Sequence, residues 1–162
     1  MNRTFNLAAA VAVLAGVVLV FGLRGGAGGL FSVDGKDDGR EKAVRAVLDG
    51  QAAAWNRGDI EGFMDGYERS DQTLFVSGGE VTRGWQTVLE RYRRNYDSRE
   101  KMGTLAFSEL EIKPLSEYYT LAVGRWQLTR ANDLPHGRFT LLFRRTPKGW
   151  RVVHDHTSSA SK

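Results

Sequence analysis

The chain has 162 residues, of which 41% are hydrophobic and 26% charged, the composition of one ordinary globular domain. That excludes a disordered tail, a collagen-like rod and a multi-span membrane protein. The absence of cysteine excludes disulfides, thiolate catalysis and cysteine-ligated zinc. Net charge is +4, from 23 basic and 19 acidic residues. Arg3 and Arg24 flank the first apolar run, so the remainder is closer to neutral, and nothing in it argues for a nucleic-acid partner.

Residues 1–24 read as a membrane anchor or a signal peptide. Leu7 to Leu23 carries no charge. It sits at the short end of the roughly 17–25 residues that span a bilayer, and slightly above the apolar core of a cleaved signal. Arg3 ahead of it favours a cytoplasmic N-terminus. The expectation is a domain outside the cytoplasm, held to the cell membrane if the segment is kept and secreted or periplasmic if it is cleaved. Residues 25–38 are rich in glycine and aspartate and read as a flexible linker. They lack the GxGxxG spacing of a dinucleotide loop.

The periodic part spans residues 39–158, with a short tail at 159–162. Val44, Val47, Leu48, Gln51, Ala52 and Trp55 recur at helical spacing and predict a helix over about 39–57. Gly58 then stops it and Asp59 caps the next helix, in which Ile60, Phe63, Met64 and Tyr67 form the stripe. Thr73–Ser77 and Glu80–Arg83 read as a small hairpin turning at Gly78-Gly79. A third helix carries Trp85, Val88, Leu89, Tyr92 and Tyr96 on one face. Arg91, Arg93 and Arg94 fall off that face, and with Arg99 and Lys101 they read as a solvated basic surface interleaved with acids.

From Thr104 the period shortens to two. Four strands are predicted at Thr104–Pro114, Tyr118–Arg130, Arg138–Arg145 and Trp150–Ser158, and their short separators favour antiparallel neighbours. Leu105 and Phe107 have opposite parity to Leu110 and Ile112, which a bulge near Ser108 or Glu109 reconciles. The predicted class is α+β: a cone of three helices packed on a strongly curved antiparallel sheet, with room for a pocket between the layers.

The segments Gln51–Tyr67 (QAAAWNRGDIEGFMDGY), Phe75–Tyr92, Ala122–Arg130 and Gly149–Ser158 (GWRVVHDHTS) carry a resemblance over about Glu41 to Ser158. In order and spacing they resemble the nuclear transport factor 2-like superfamily. More narrowly, they resemble its SnoaL-like domains and the relatives of the calcium/calmodulin-dependent kinase II association domain. The resemblance implies a cone-shaped fold, an internal pocket and frequent homodimers through the sheet. It implies no single activity, since members include isomerases, dehydratases, cyclases and assembly modules.

The sharpest candidates for chemistry are His154 and His156, flanking Asp155. Alternation along a strand puts Trp150, Val152, His154 and His156 on one face and Arg151, Val153, Asp155 and Thr157 on the other. A pocket histidine moves protons near neutral pH. Trp55, Tyr67 and Trp85 are core aromatics whose polar tips suit a ligand. Arg125 and Gln127 share one strand face. Turned inward, Arg125 would hold a carboxylate, and the pocket arginines of the kinase association domains imply that orientation. With Trp126 turned inward, Arg125 would face the dimer sheet. No HExxH, P-loop or EF-hand sequence occurs, and neither a metal nor a cofactor is expected.

Three functions fit these readings. The first is a pocket binding a small organic molecule, carboxylate-bearing if Arg125 faces it. The second is an acid–base enzyme with His154 or His156 as the proton-transfer group and Tyr67 or Arg125 polarising a carbonyl. The third is a homodimeric assembly module.

Overall fold

The computed structural model describes residues 39–160. The apolar segment Leu7–Leu23 and the linker at 25–38 lie outside the described residues. No helix among the described residues is long and apolar enough to cross a membrane.

Helix α1 (Arg40–Asn56) buries Val44, Leu48, Gln51, Ala54 and Trp55, the face its periodicity predicts. It ends at Gly58, whose φ is 86°, a left-handed turn that glycine takes without a Cβ clash. Asp59 then caps α2 (Ile60–Met64), its carboxylate accepting from the Gly62 N–H at 2.7 Å. Asn56 docks the end of α1 on the sheet. Its side chain donates to the Leu105 carbonyl at 3.0 Å and accepts from the Leu105 N–H at 2.7 Å.

The second helix is shorter than its apolar stripe suggests, and Tyr67 lies beyond its end. Residues 66–68 leave the helix to pair with the sheet. Val152 N–H donates to the Gly66 carbonyl and Glu68 N–H to the Val152 carbonyl, both at 2.9 Å. Two backbone bonds to a strand outweigh the helical continuation and carry Tyr67 to the inner face of the sheet.

The small hairpin forms as β1 (Leu74–Ser77) and β2 (Glu80–Arg83), and α3 (Trp85–Asn95) follows. A one-turn helix, α4 (Arg99–Met102), precedes the strands β3 (Thr104–Pro114), β4 (Tyr119–Thr129), β5 (His136–Thr146) and β6 (Gly149–Thr157). All ten elements belong to one sheet of order β2-β1-β6-β5-β4-β3 and the helices packed on it. The sheet is mixed, not antiparallel throughout. Strands β3 to β6 form the expected antiparallel meander, but β1 lies parallel to β6. Loop length speaks only for consecutive strands, so it held no information on this distant pair.

Two register shifts shape the sheet. The first lies between Ser108 and Glu111 on β3, where Glu109 adopts a φ of 52°. It is the bulge that the parity of Leu105, Phe107, Leu110 and Ile112 demands, and all four side chains join the core. The second lies on β6: Leu142 pairs with His154, whereas Phe143 pairs with Val152. Val153 is the extra residue. Each bulge turns the following residue to the opposite face, and the second decides which member of His154-Asp155-His156 points inward.

Candidate functional site

Between the helices and the inner face of the sheet lies a cavity of about 140 Å³. Its walls are aromatic, with Trp55, Phe63, Phe75 and Tyr92 from the helices and β1 and Phe107 and Phe139 from the sheet. Edge-to-face contacts lock the helical side, with Trp55 and Phe63 rings 5.2 Å apart and Phe63 and Tyr92 rings 5.1 Å apart. At the closed end sit Gln51, Tyr67 and Asp155, each at most 5% exposed. At the open end are Ser77, Arg91, Asn95, Thr157 and Ser159.

The closed end holds the chemistry. Because Val153 is bulged, Val152 and Asp155 both face inward, at 0% and 5% exposure. Asp155 pairs across with Leu141, another inward residue. The Tyr67 hydroxyl donates to Asp155 Oδ2 at 2.6 Å, and the Tyr92 hydroxyl lies 3.5 Å from that of Tyr67. Asp155 Oδ1 is buried with no hydrogen-bond partner, and no cation among the described residues forms an ion pair with it.

A carboxyl group in such surroundings resists ionisation. Burial pushes Asp155 up to about 7, against the downward pull of the Tyr67 hydrogen bond. Burial, then the neighbouring Asp155, raise the Tyr67 phenol well above its ordinary value, and Tyr92 is raised for the same reasons. The cluster is thus an acid poised near neutrality beside two phenols that stay protonated and can only donate or exchange hydrogen bonds.

The residues expected from sequence divide. Trp55 and Tyr67 line the cavity. Trp55 also anchors α4, donating from Nε1 to the Met102 carbonyl at 3.1 Å. Trp85 lies off the cavity; its Nε1 donates to the Met64 carbonyl at 2.9 Å, and the Arg69 guanidinium stacks 4.4 Å from its ring centre. His154 and His156 do not line it either, because the Val153 bulge reverses their parity relative to Trp150 and Val152. His156 is exposed and His154 half-buried.

On β4 the even-numbered residues Thr120, Ala122, Trp126 and Leu128 face the helices, and Trp126 lines the cavity. That register puts Arg125 and Gln127 on the opposite face, away from the pocket. There Arg125 donates to Gln127 Oε1 at 3.5 Å and stands 3.8 Å from Glu109.

The two charged residues of the cavity are not among the candidates named from sequence. Alternation leaves either His154 or Asp155 to face the pocket, and only long-range pairing reveals the bulge that turns Asp155 inward. Arg91 looks solvated because it falls beside the apolar stripe of α3, yet it lines the cavity next to Phe75.

A SnoaL-like domain model matches residues 44–162. Among solved structures, a nuclear transport factor 2-like protein of unknown function from Shewanella oneidensis is 40% identical, with 73% of this chain and 98% of that one covered and a TM-score of 0.70. A ketosteroid isomerase-like protein from Erwinia carotovora atroseptica is 18% identical, covering 78% of this chain and 99% of that one, with a TM-score of 0.62. A putative calcium/calmodulin-dependent protein kinase II association domain from Xanthomonas campestris is 17% identical, over 77% of this chain and 91% of that one, with a TM-score of 0.61. At such identities the last two speak for the fold alone. No curated protein matches the chain. The chain belongs to the SnoaL-like domain family.

Proposed function

We propose that this SnoaL-like domain binds a small organic molecule in the cavity and that Asp155 exchanges a proton with it. The observation that carries this reading is the buried Asp155 carboxyl, one oxygen held by Tyr67 and the other without a partner, at the closed end of an aromatic cavity. An engineered cavity of roughly 150 Å³ in another protein accommodates benzene, so the space suits one ring. A group half-ionised near pH 7 is matched to general acid–base work. As carboxylate, Asp155 takes a proton through Oδ1 while the Tyr67 hydroxyl steadies Oδ2. The Tyr92 hydroxyl is placed to donate to a ligand oxygen on which charge develops. The reaction class is isomerisation, dehydration or cyclisation, with the proton-transfer role considered for His154 or His156 passing to the residue between them.

Deuterium incorporation into 2-cyclohexenone, a one-ring carbon acid, tests this in heavy water near neutrality. The full chain should accelerate exchange, and Asp155→Asn should lower the rate by roughly 10²–10⁴-fold with binding retained. Binding without acceleration would leave a ligand-binding domain and remove the enzyme.

For location, the uncharged Leu7–Leu23 segment behind Arg3 supports a domain exposed outside the cytoplasmic membrane. Protease added to intact spheroplasts should digest it, and protection until the membrane is dissolved would reverse the topology. For assembly, the outer sheet face bears Tyr119, Leu121, Val123, Leu142 and Val153, none of them fully buried. This supports a homodimer through that face, which a monomeric solution mass at all concentrations would reject.

A further inference from the structure

Helix α3 carries three arginines in its second half, and they have different surroundings. Arg93 pairs with Glu61 and Arg94 is exposed. Arg91 alone lines the cavity, and it is the only cationic side chain among the described residues that does. It has a neighbour on each of two sides. Nη1 meets Glu80 Oε2 at 3.1 Å, and the guanidinium lies 5.3 Å from the centre of the Phe75 ring. The Arg91 side chain is 23% exposed and that of Glu80 73%, so the Glu80 contact is screened by water and weak. Among the described residues, Nε and Nη2 have no protein acceptor. The charge also reaches inward, opposing the rise that burial imposes on the Tyr92 and Tyr96 phenols.

The cavity therefore has an electrical direction. A cation stands among the more exposed lining residues and an acid without a cation among the buried ones, with the Phe75 ring beside both. We infer that the cavity is built for a one-ring carboxylate that enters ring first and leaves its anionic group on Arg91. A single planar guanidinium with part of its fork unused matches a carboxylate. A dianion such as a phosphate ester would bring two charges to one guanidinium already shared with Glu80. A neutral ligand would cover the guanidinium and supply no charged acceptor for Nε and Nη2.

The inference rests on the proposed binding reading, and benzoate and benzamide separate the two. They share size and planarity and differ in charge. At pH 6, Asp155 is mostly protonated and benzoate is ionised. Quenching of tryptophan fluorescence in the full chain should then report benzoate binding about tenfold tighter than benzamide. Arg91→Gln should bring the ratio to about one, weakening benzoate and leaving benzamide as tight or tighter because the covered charge is gone, and Arg91→Lys should keep part of the preference. Benzamide binding with no preference for benzoate, or a preference that survives Arg91→Gln, overturns the inference and leaves the pocket standing. Failure of both probes to bind overturns the pocket and the inference together.

Discussion

Two carboxylates on opposite faces of the same sheet show how this domain handles charge. Glu109, on the outer face, stands 2.5 Å from Arg138 and 3.8 Å from Arg125 and keeps about half its side chain in water. Asp155, on the inner face, is 5% exposed and has one phenol for company. Outside, charge is kept and paired. Inside, the acid has no cation, and neutralisation by a proton is the lower-energy answer. A structural role would be served equally well by an apolar residue at position 155, so the unpaired acid is the feature that marks the cavity as a site.

The largest expected effect follows from that difference. The folded-state value for Asp155 is raised from 3.8 to about 7, so the folded protein holds this proton more tightly than the unfolded chain does. The associated stability is fully present below about pH 4, declines as pH rises through about 7, and is then lost. Its size is on the order of 4 kcal/mol. Denaturant unfolding of the wild type and Asp155→Asn at pH 4 and pH 8 should show the wild type losing that much relative to the variant. A parallel pH dependence in the two would mean that Asp155 ionises freely and that the contrast between the faces is false.

Tyr67→Phe comes next. It removes the hydroxyl that holds Oδ2 and should cost about 2 kcal/mol. Because that hydrogen bond opposes the effect of burial, the Asp155 titration should move upward from about 7. Carboxyl carbon NMR of Asp155 across pH reads this directly, and a downward or absent movement would remove Tyr67 from the cluster.

Smaller effects belong to the outer face. Glu109 occupies a left-handed backbone position with φ 52°, which a β-branched residue tolerates poorly. Glu109→Val should cost roughly 1–2 kcal/mol by urea unfolding. Glu109→Gln keeps the backbone preference and loses only half-exposed ion pairs, so it should cost less than about 1 kcal/mol. A loss from Gln as large as that from Val would show that the charges, and not the bulge, hold this part of β3.

Local periodicity made much of the frame legible. The stop at Gly58, the cap at Asp59, the four-strand meander and the bulge near Glu109 each depend on neighbours within a few residues. Trp55 and Tyr67 reach the cavity because they continue apolar stripes that must be buried somewhere. The parallel pairing of β1 with β6 and the bulge at Val153 have no such local cause. Both arise from how β6 fits simultaneously against β1, β5 and the Gly66–Glu68 turn.

The sequence by itself thus determined the class of fold, the helical faces and the order of the meander, because burying an apolar stripe of given period leaves few choices. Tertiary structure alone decided which side of β6 and β4 faces the ligand. Side chains alternate with a period of two, so one extra residue at Val153 exchanges inside for outside. It brings Asp155 in and leaves His154 and His156 off the cavity, and the register of β4 does the same for Trp126 over Arg125 and Gln127. A choice that rests on a single inserted residue is set by the fit of distant strands, where local composition has no voice.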